Sequence, residues 1–155
     1  MRPSSLDDAR AFLDARRIAV VGVSRDEKDF SRMLFRELVR RGHDCVPVNP
    51  ALPSADGRAC FPRVQDVWPP PDAALLLTPP ARTEQVLRDC AEAGVRRVWL
   101  HRGGGPGAAS PAAIAFCEAK GIEVIRDLCP FMALPGAAFP HRVHGFLRRA
   151  LNPPR

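Results

Sequence analysis

The residues best suited to chemistry form a small-residue turn that directly follows an apolar run. The turn reads Gly22-Val23-Ser24-Arg25, and a helical pattern comes after it. A strand, a small-residue turn and a helix in that order make a phosphate-binding device, because the N–H groups of the helix's first turn and the helix dipole face the turn. The sequence therefore predicts that the chain holds a nucleotide at this turn.

Three cations near the turn could meet further phosphate groups. They are Arg25, Lys28 and Arg32, and Lys28 is one of only two lysines in the chain. Arginine binds phosphate bidentately, and the Ser24 hydroxyl can add one donor. Three acids are interspersed among the cations, namely Asp26, Glu27 and Asp29. They leave open the alternative that at least one of the cations belongs to an ordinary solvated helix start.

The turn lacks the signatures of the commonest nucleotide sites. A nicotinamide or flavin site would have GxGxxG here and an acid after the second strand, where the chain has Asn49-Pro50 instead. No GxxxxGK[ST] P-loop occurs. A tight turn without a ligand is the alternative for Gly22. If the turn contacts phosphate, we expect Gly22→Val to abolish binding and to leave the fold largely intact.

The rest of the pattern predicts the elements that position this turn. Ser5 and Asp8 form a capping-box-like start of a first helix, and Ser31 is the expected N-cap of the second. Strands are predicted at 18–23, 45–48, 59–61, 73–77, 97–100 and 122–125. Their alternation with helices predicts an α/β fold, a Rossmann-like, doubly wound parallel sheet of three layers with strand order 3-2-1-4-5-6.

In such a sheet, ligands bind at the carboxyl ends of the strands, where the strand order reverses. This rule selects four loops, at 22–31, 49–57, 78–82 and 101–110. The expected order places the first and third loops side by side. In the third loop, Thr78-Pro79-Pro80 either offers a flat apolar wall or merely ends a strand, and in the fourth His101 either donates to a ligand or caps the strand end.

Several motifs together resemble the stand-alone CoA-binding protein family. They occur in the family's order and rough spacing over about residues 18–132: Gly22-Val23-Ser24-Arg25, Val48-Asn49-Pro50, Asp56-Gly57 before Cys60-Phe61-Pro62, Thr78-Pro79-Pro80, Val98-Trp99-Leu100 and Asp127-Leu128-Cys129-Pro130. The family is similar in fold to the amino-terminal CoA-binding domain of the succinyl-CoA synthetase alpha subunit. The resemblance implies a domain that binds coenzyme A, usually with no catalytic apparatus of its own.

By this resemblance, the expected CoA-binding residues lie in the four loops, except Arg32, which directly follows the first loop. They are Gly22, Val23, Ser24, Arg25, Lys28, Arg32, Asn49, Pro50, Thr78, Pro79, Pro80 and His101. The pyrophosphate suits the N–H groups of residues 23–25. The segment from His101 to Gly107 departs from the family, whose common form has a glutamine and a shorter loop after the Trp-Leu pair. A domain of a CoA ligase or acyl-transfer system, and a binder of another dinucleotide, remain alternatives.

Composition bounds the remaining expectations. A chain of 155 residues with 46% hydrophobic content predicts one domain over residues 1–155, with an amino-terminal helix within 1–15 and a basic carboxyl-terminal helix and tail at 136–155. No signal peptide or membrane span is expected, and five cysteines without CxxC pairing favour a reducing, cytoplasmic location. The net charge of +6 does not indicate nucleic-acid binding, because basic residues and aromatics do not interleave.

Catalysis and metal binding find little support in the motifs. No GxSxG or HExxH occurs, so no catalytic residue is assigned and the chain is expected to be no enzyme. The strongest competing constellation is Cys129 with His141 and His144, three residues apart on a predicted helix. A packed or solvated histidine pair is the simpler interpretation, and no metal site is expected. The predicted ligand is thus a small molecule, and the sequence names no protein partner.

Overall fold

The structure is a computed structural model that describes residues 2–101 and 108–136. The strands are β1 (Ile18–Val21), β2 (Cys45–Val48), β3 (Ser54–Ala55), β4 (Arg58–Ala59), β5 (Ala73–Leu76), β6 (Arg97–Leu100) and β7 (Glu123–Arg126). The helices are α1 (Leu6–Leu13), α2 (Phe30–Arg40), α3 (Pro80–Glu92) and α4 (Pro111–Lys120), with short 3-10 helices at Val64–Asp66 and Pro130–Ala133.

Five parallel strands form the central sheet in the order β2-β1-β5-β6-β7. The predicted Rossmann-like α/β fold is therefore confirmed. The predicted strand at 59–61 is wrong in extent, because β4 pairs antiparallel with β3 and only Phe61 joins the sheet, through one parallel bridge to Val48. Pro62 follows Phe61 and has no N–H to continue a ladder. Phe61 still lies beside β2, on the side away from β1, which is where the expected strand order places the third strand.

Alternate residues of the strands face two separate apolar clusters, one on each side of the sheet. In β1, Ile18 and Val20 pack with α1 and α2, whereas Ala19 and Val21 pack with α3 and α4. All four residues of β1, β2 and β5 are buried. Helices on both faces thus explain why these strands read as unbroken apolar runs.

Local capping signals account for most of the helix ends. Ser5 and Asp8 form the predicted capping box of α1, and Ser110 caps α4 before Pro111. The predicted N-cap of α2 is wrong by two residues: the N-cap is Asp29, whose carboxylate accepts the Ser31 N–H at 2.8 Å. An aspartate two residues earlier competes successfully with Ser31 for the same role, since both residue types are good N-caps.

The five cysteines are free thiols, and four of them are buried: Cys45, Cys90, Cys117 and Cys129. Burial raises the pKa of the Cys117 thiol to about 11 and that of Cys45 to about 12. These thiols are protonated at neutral pH and act as small apolar core residues.

Two sequence expectations lie outside the described residues. They are the carboxyl-terminal helix with His141 and His144, and most of the glycine-rich loop after His101. Within the described ranges, every helix is too short or too polar to cross a bilayer.

Gly22 directly follows β1 and lies against the backbone of Leu77, the residue after β5. Its φ is +94°, and a Cβ added there would lie 2.9 Å from the Leu77 carbonyl oxygen and 3.1 Å from the Leu77 carbonyl carbon. Contacts under 3.0 Å to backbone atoms force a shift of the chain. The expectation that Gly22→Val leaves the fold largely intact is therefore wrong, because the added side chain meets the neighbouring strand.

We expect Gly22→Ala to destabilise the protein more than Gly42→Ala, which is a matched control. Gly42 has φ +89°, but a Cβ there meets nothing within 4 Å. The positive φ alone should cost about 1–2 kcal/mol in either variant, and the contact with Leu77 should add about 1–3 kcal/mol at residue 22. Chemical denaturation measures both values. An equal decrease in the free energy of unfolding in the two variants would show that the contact with Leu77 adds nothing at residue 22.

Candidate functional site

The candidate site lies at the carboxyl ends of β1 and β5, where the strand order reverses. The chain leaves β1 toward β2 on one side, and β5 lies on the other. At this point Gly22 lies against Leu77 and Thr78, so the loops that follow the two strands are adjacent. The structure thus brings the first and third predicted loops together, in the position where open α/β sheets bind ligands.

Hydrogen bonds from α2 and from the loop after β2 hold the turn at residues 23–25. The Asn49 side-chain amide donates to the Val23 carbonyl at 2.9 Å, the Ser24 N–H donates to Ser31 Oγ at 2.9 Å, and Arg32 Nη1 donates to the Ser24 carbonyl at 3.1 Å. The Ser24 hydroxyl accepts the Asp26 N–H at 3.0 Å. Within the described residues, the Arg25 N–H donates to no acceptor. The turn is therefore preorganised, and it retains a backbone donor.

The protein itself places a carboxylate at the amino end of α2. Asp29 Oδ1 accepts the Ser31 N–H at 2.8 Å and also the Ser31 hydroxyl. Because this carboxylate uses part of the positive end of the helix dipole, a phosphate bound here would lie toward residues 23–25 and not directly on the first turn of the helix.

The cations near the turn have unequal surroundings. Arg25 is exposed, and its Nη2 donates to the Ala51 carbonyl at 3.0 Å. The exposed Lys28 side chain makes no hydrogen bond or ion pair within the described residues. Arg32 is only 8% exposed, and its Nε lies 2.8 Å from Asp56 Oδ2. Arg25 and Lys28 are thus the cations that can reach a ligand from the rim, and direct contact of Arg32 with phosphate stays a prediction.

Asp56 is a residue of this site that sequence reasoning missed. It occupies the Asp-Gly turn between β3 and β4 with φ +49°, and it accepts from Arg32 Nε and, at 3.1 Å, from Arg36 Nε. Burial raises the pKa of Asp56, but the hydrogen bonds from the two arginines outweigh it and hold that pKa below its ordinary value. The sequence predicted the turn, but no local signal pairs its carboxylate with a helix 24 residues away.

Asn49 and Pro50 follow β2 and lie beside the first turn. Besides its bond to Val23, the Asn49 side chain accepts the Ala51 N–H at 2.9 Å, so it connects the loops after β1 and β2. Pro50 is exposed. Asn49 thus has a structural role at the site whether or not it contacts a ligand.

The Thr78-Pro79-Pro80 turn ends β5 and starts α3. Thr78 is 7% exposed, and its hydroxyl lies 2.9 Å from that of Thr83, while Pro79 is the N-cap of α3. Both prolines are exposed. The turn therefore serves as a strand terminator and helix start, and its exposed prolines are available as an apolar wall.

His101 ends β6 as part of an aromatic stack. Its ring is stacked on Phe30 with the centroids 4.8 Å apart, and Phe30 meets Phe131 edge-on at 5.4 Å. His101 is 8% exposed. Through this stack His101, the residue after β6, packs against the start of α2. Among the described residues, no group of three or more His, Cys, Asp or Glu side chains could hold a metal ion.

The fold and these strand-end loops define a Rossmann-like α/β protein with a candidate site at the topological switch point. Residues 16–135 match the family described as a CoA binding domain, and the chain belongs to this family. The resemblance found in the sequence motifs is thereby confirmed.

Two curated proteins show how the chain relates to larger and to similar-sized relatives. The alpha subunit of the ADP-forming acetate–CoA ligase II of Pyrococcus furiosus is 31% identical over 88 residues, which are 56% of this chain but only 19% of that subunit. The uncharacterised protein YneT of Bacillus subtilis is 25% identical over 127 residues, which cover 82% of this chain and 91% of YneT.

Solved structures share the fold. A hypothetical protein from Pyrococcus horikoshii superimposes with a TM-score of 0.77 at 23% identity, covering 86% of this chain and 94% of its own. The dinucleotide-forming acetyl-coenzyme A synthetase 1 of Ca. Korarchaeum cryptofilum, solved with phosphate and ADP, superimposes with a TM-score of 0.65 at 28% identity, covering 77% of this chain and 27% of its own. The chain thus spans about a quarter of that synthetase.

The pairing of Asp56 predicts a specific acid response. The pKa of Asp56 in the folded protein lies below its ordinary value of 3.8. The ionised Asp56 therefore contributes its full share to the free energy of unfolding above pH 3.8. This contribution is lost as the pH falls through the lower pKa of the folded state. We expect Asp56→Asn to flatten this part of the dependence of the unfolding free energy on pH, measured by denaturation from neutral to acidic pH. The control Glu27→Gln removes an exposed carboxylate and should leave the wild-type slope. Parallel curves for wild type and Asp56→Asn would contradict the assignment.

Proposed function

We propose that this protein binds coenzyme A or an acyl-CoA at the carboxyl edge of its sheet and catalyses no reaction itself. The observation that carries the proposal is the match of residues 16–135 to the CoA-binding domain family. The matched range contains the preorganised turn at the switch point and the three loops beside it. The family match supports coenzyme A as the ligand, and the preorganised turn supports this edge of the sheet as its proposed place.

The polar end of CoA suits the donors of this site. Its pyrophosphate would lie on the turn at residues 23–25, where Gly22 leaves room at the strand end and the Arg25 N–H is directed outward from the held turn. Arg25 and Lys28, both exposed, would meet the remaining phosphate charge, including the ribose 3′-phosphate. An exposed cation at a rim can adjust its position to a ligand at low cost.

The pantetheine arm is long and mostly uncharged, so it needs apolar walls and few donors. The exposed pair Pro79-Pro80 offers such a wall beside the turn. Asn49-Pro50 and His101 flank it on either side, since they follow β2 and β6. We propose these residues as the remaining contacts of the ligand.

The likeness to the acetate–CoA ligase subunit favours one alternative, in which this chain is the CoA-binding part of a ligase system. Synthetase chemistry of the succinyl-CoA type requires a phosphohistidine and a second nucleotide-binding domain. In the described part of the chain, His101 is buried against Phe30, and His43 lies before β2, at the opposite edge of the sheet. Neither position suits a phosphorylated intermediate at the CoA site, which supports the non-catalytic proposal.

The proposed ligand also indicates the cellular compartment and the kind of partner that we propose. We propose a cytoplasmic protein, because the thiol of CoA and the five free cysteines all persist in a reducing compartment. A small molecule and not a nucleic acid or membrane is the proposed partner.

Calorimetric titration tests the proposal directly. We expect CoA to bind with micromolar or tighter affinity, and NAD and ATP to bind much more weakly, because the site lacks an acid after β2 for the ribose hydroxyls. Incubation with ATP, acetate and CoA should yield no acetyl-CoA. Good binding of NAD or FAD without CoA binding would overturn the proposal, and product formation would favour the ligase alternative.

The two lysines provide a matched test of the cationic rim. We expect Lys28→Gln to weaken CoA binding by about threefold to tenfold, as loss of one charge-assisted phosphate contact predicts. Lys120→Gln, at the carboxyl end of α4, should bind CoA like the wild type. Titrations at low and high salt should show the difference shrinking as salt rises. Equal affinities of the two variants would remove Lys28 from the site.

A further inference from the structure

We propose that Arg32 and Asp56 are a positioning pair that orients the phosphate-binding turn, so that a partly buried carboxylate strengthens the binding of a polyanion. Neither side chain needs to touch the ligand in this arrangement. This role rests on the CoA binding proposed above. The pair is the part of the chain that makes the turn able to bind a polyanion.

One guanidinium makes both contacts of the pair. Arg32 Nε donates to Asp56 Oδ2 at 2.8 Å, and Nη1 donates to the Ser24 carbonyl at 3.1 Å. The Arg32 side chain is 9% exposed and that of Asp56 is 19% exposed. The planar fork of arginine fixes the angle between the two donors, so the position of Asp56 determines where Nη1 points.

Asp56 is itself held from two sides. Its second oxygen accepts from Arg36 Nε at 3.1 Å, one helical turn after Arg32. The hairpin of β3 and β4 carries Asp56 at φ +49°, followed by Gly57 at φ +77°. Asp-Gly with two positive φ angles is typical of a type I′ hairpin turn, which is a well-defined geometry. The carboxylate is thus a fixed point from which Arg32 is aligned.

The planarity of the peptide group carries this alignment to the ligand. The Ser24 carbonyl and the Arg25 N–H belong to one trans peptide unit and point in opposite directions. When Arg32 binds the carbonyl from the α2 side, the Arg25 N–H must point away from α2. That N–H donates to no acceptor within the described residues. The preceding peptide unit is held in the same way, by Asn49 at its carbonyl and Ser31 at its N–H.

Charge alone makes the opposite prediction. A carboxylate close to a phosphate site repels the ligand, and removing it should improve binding. If Asp56 acts through Arg32, its removal loosens the Ser24 peptide unit and weakens binding. The sign of the effect therefore separates a positioning role from a purely electrostatic one.

The test compares Asp56→Asn with Glu27→Gln in titrations with CoA. Asparagine keeps the size of the side chain and tolerates the positive φ, so the hairpin should persist. We expect Asp56→Asn to bind CoA about tenfold more weakly, the loss that one misplaced charge-assisted bond would cause. Glu27→Gln removes an exposed acid near the same turn, and we expect binding unchanged or about twofold tighter.

A second readout needs no ligand. Amide hydrogen exchange of the free protein should be faster at residue 24, whose N–H donates to Ser31 Oγ, in Asp56→Asn than in the wild type, and unchanged in Glu27→Gln. If the wild type fails to bind CoA, the proposed function fails, and this exchange measurement still decides the positioning role. If Asp56→Asn binds CoA as well as or better than the wild type, or leaves exchange at the turn unchanged, the inference is wrong.

Arg32→Lys is the second variant should Asp56→Asn fail to fold. It keeps the charge but cannot hold two acceptors at the fixed angle of a guanidinium. Weaker CoA binding with faster exchange at the turn supports the inference. Unchanged binding and exchange in a folded Arg32→Lys protein would overturn it.

Discussion

The close approach of the β1 and β5 backbones at residue 22 is the constraint on which the binding edge depends. Parallel strands whose connections leave in opposite directions separate at their carboxyl ends, and here the separation begins at a glycine at which an added Cβ would lie 2.9 Å from the Leu77 carbonyl oxygen. Any side chain at residue 22 would push the two strand ends apart. The turn at residues 23–25 and the Thr78-Pro79-Pro80 turn lie side by side because of this contact.

The site is built from oriented backbone groups more than from a cluster of cations. Asn49, Ser31 and Arg32 each hold a peptide group of the first turn, and acids of the protein neutralise much of the nearby positive charge. Asp29 caps α2, and Asp56 lies between two arginines. A backbone concavity of this kind binds an anion through geometry and partial charges, so it depends on the rigidity of its supports.

The comparisons place this arrangement in a family whose members differ in size. YneT has nearly the same length as this chain, whereas the acetate–CoA ligase subunit and the acetyl-coenzyme A synthetase are several times longer. The superposition with the synthetase covers 77% of this chain. Proteins with a Rossmann-like sheet have many different activities because their loops differ. The fold therefore indicates where a site lies, and the loops determine the ligand.

The sequence by itself determined the elements and the edge at which a ligand would bind. The apolar run at 73–77, the Ser110-Pro111 helix start and the capping box at Ser5 and Asp8 are local signals, and the structure reproduces each of them. They are readable because backbone hydrogen bonding and the period of burial depend on near neighbours in the chain. The resemblance of the motifs to a CoA-binding family then narrowed the expected ligand to coenzyme A.

Only the tertiary structure decided which side chains support the turn. Arg32 could be read as a phosphate ligand, but packing of α2 beside the β3–β4 hairpin buries it against Asp56. The stack of His101 on Phe30 and the bond from Asn49 to Val23 likewise join residues that are distant in the chain. The partner of a polar side chain is set by how helices and loops pack on the sheet, and no short-range pattern encodes that arrangement.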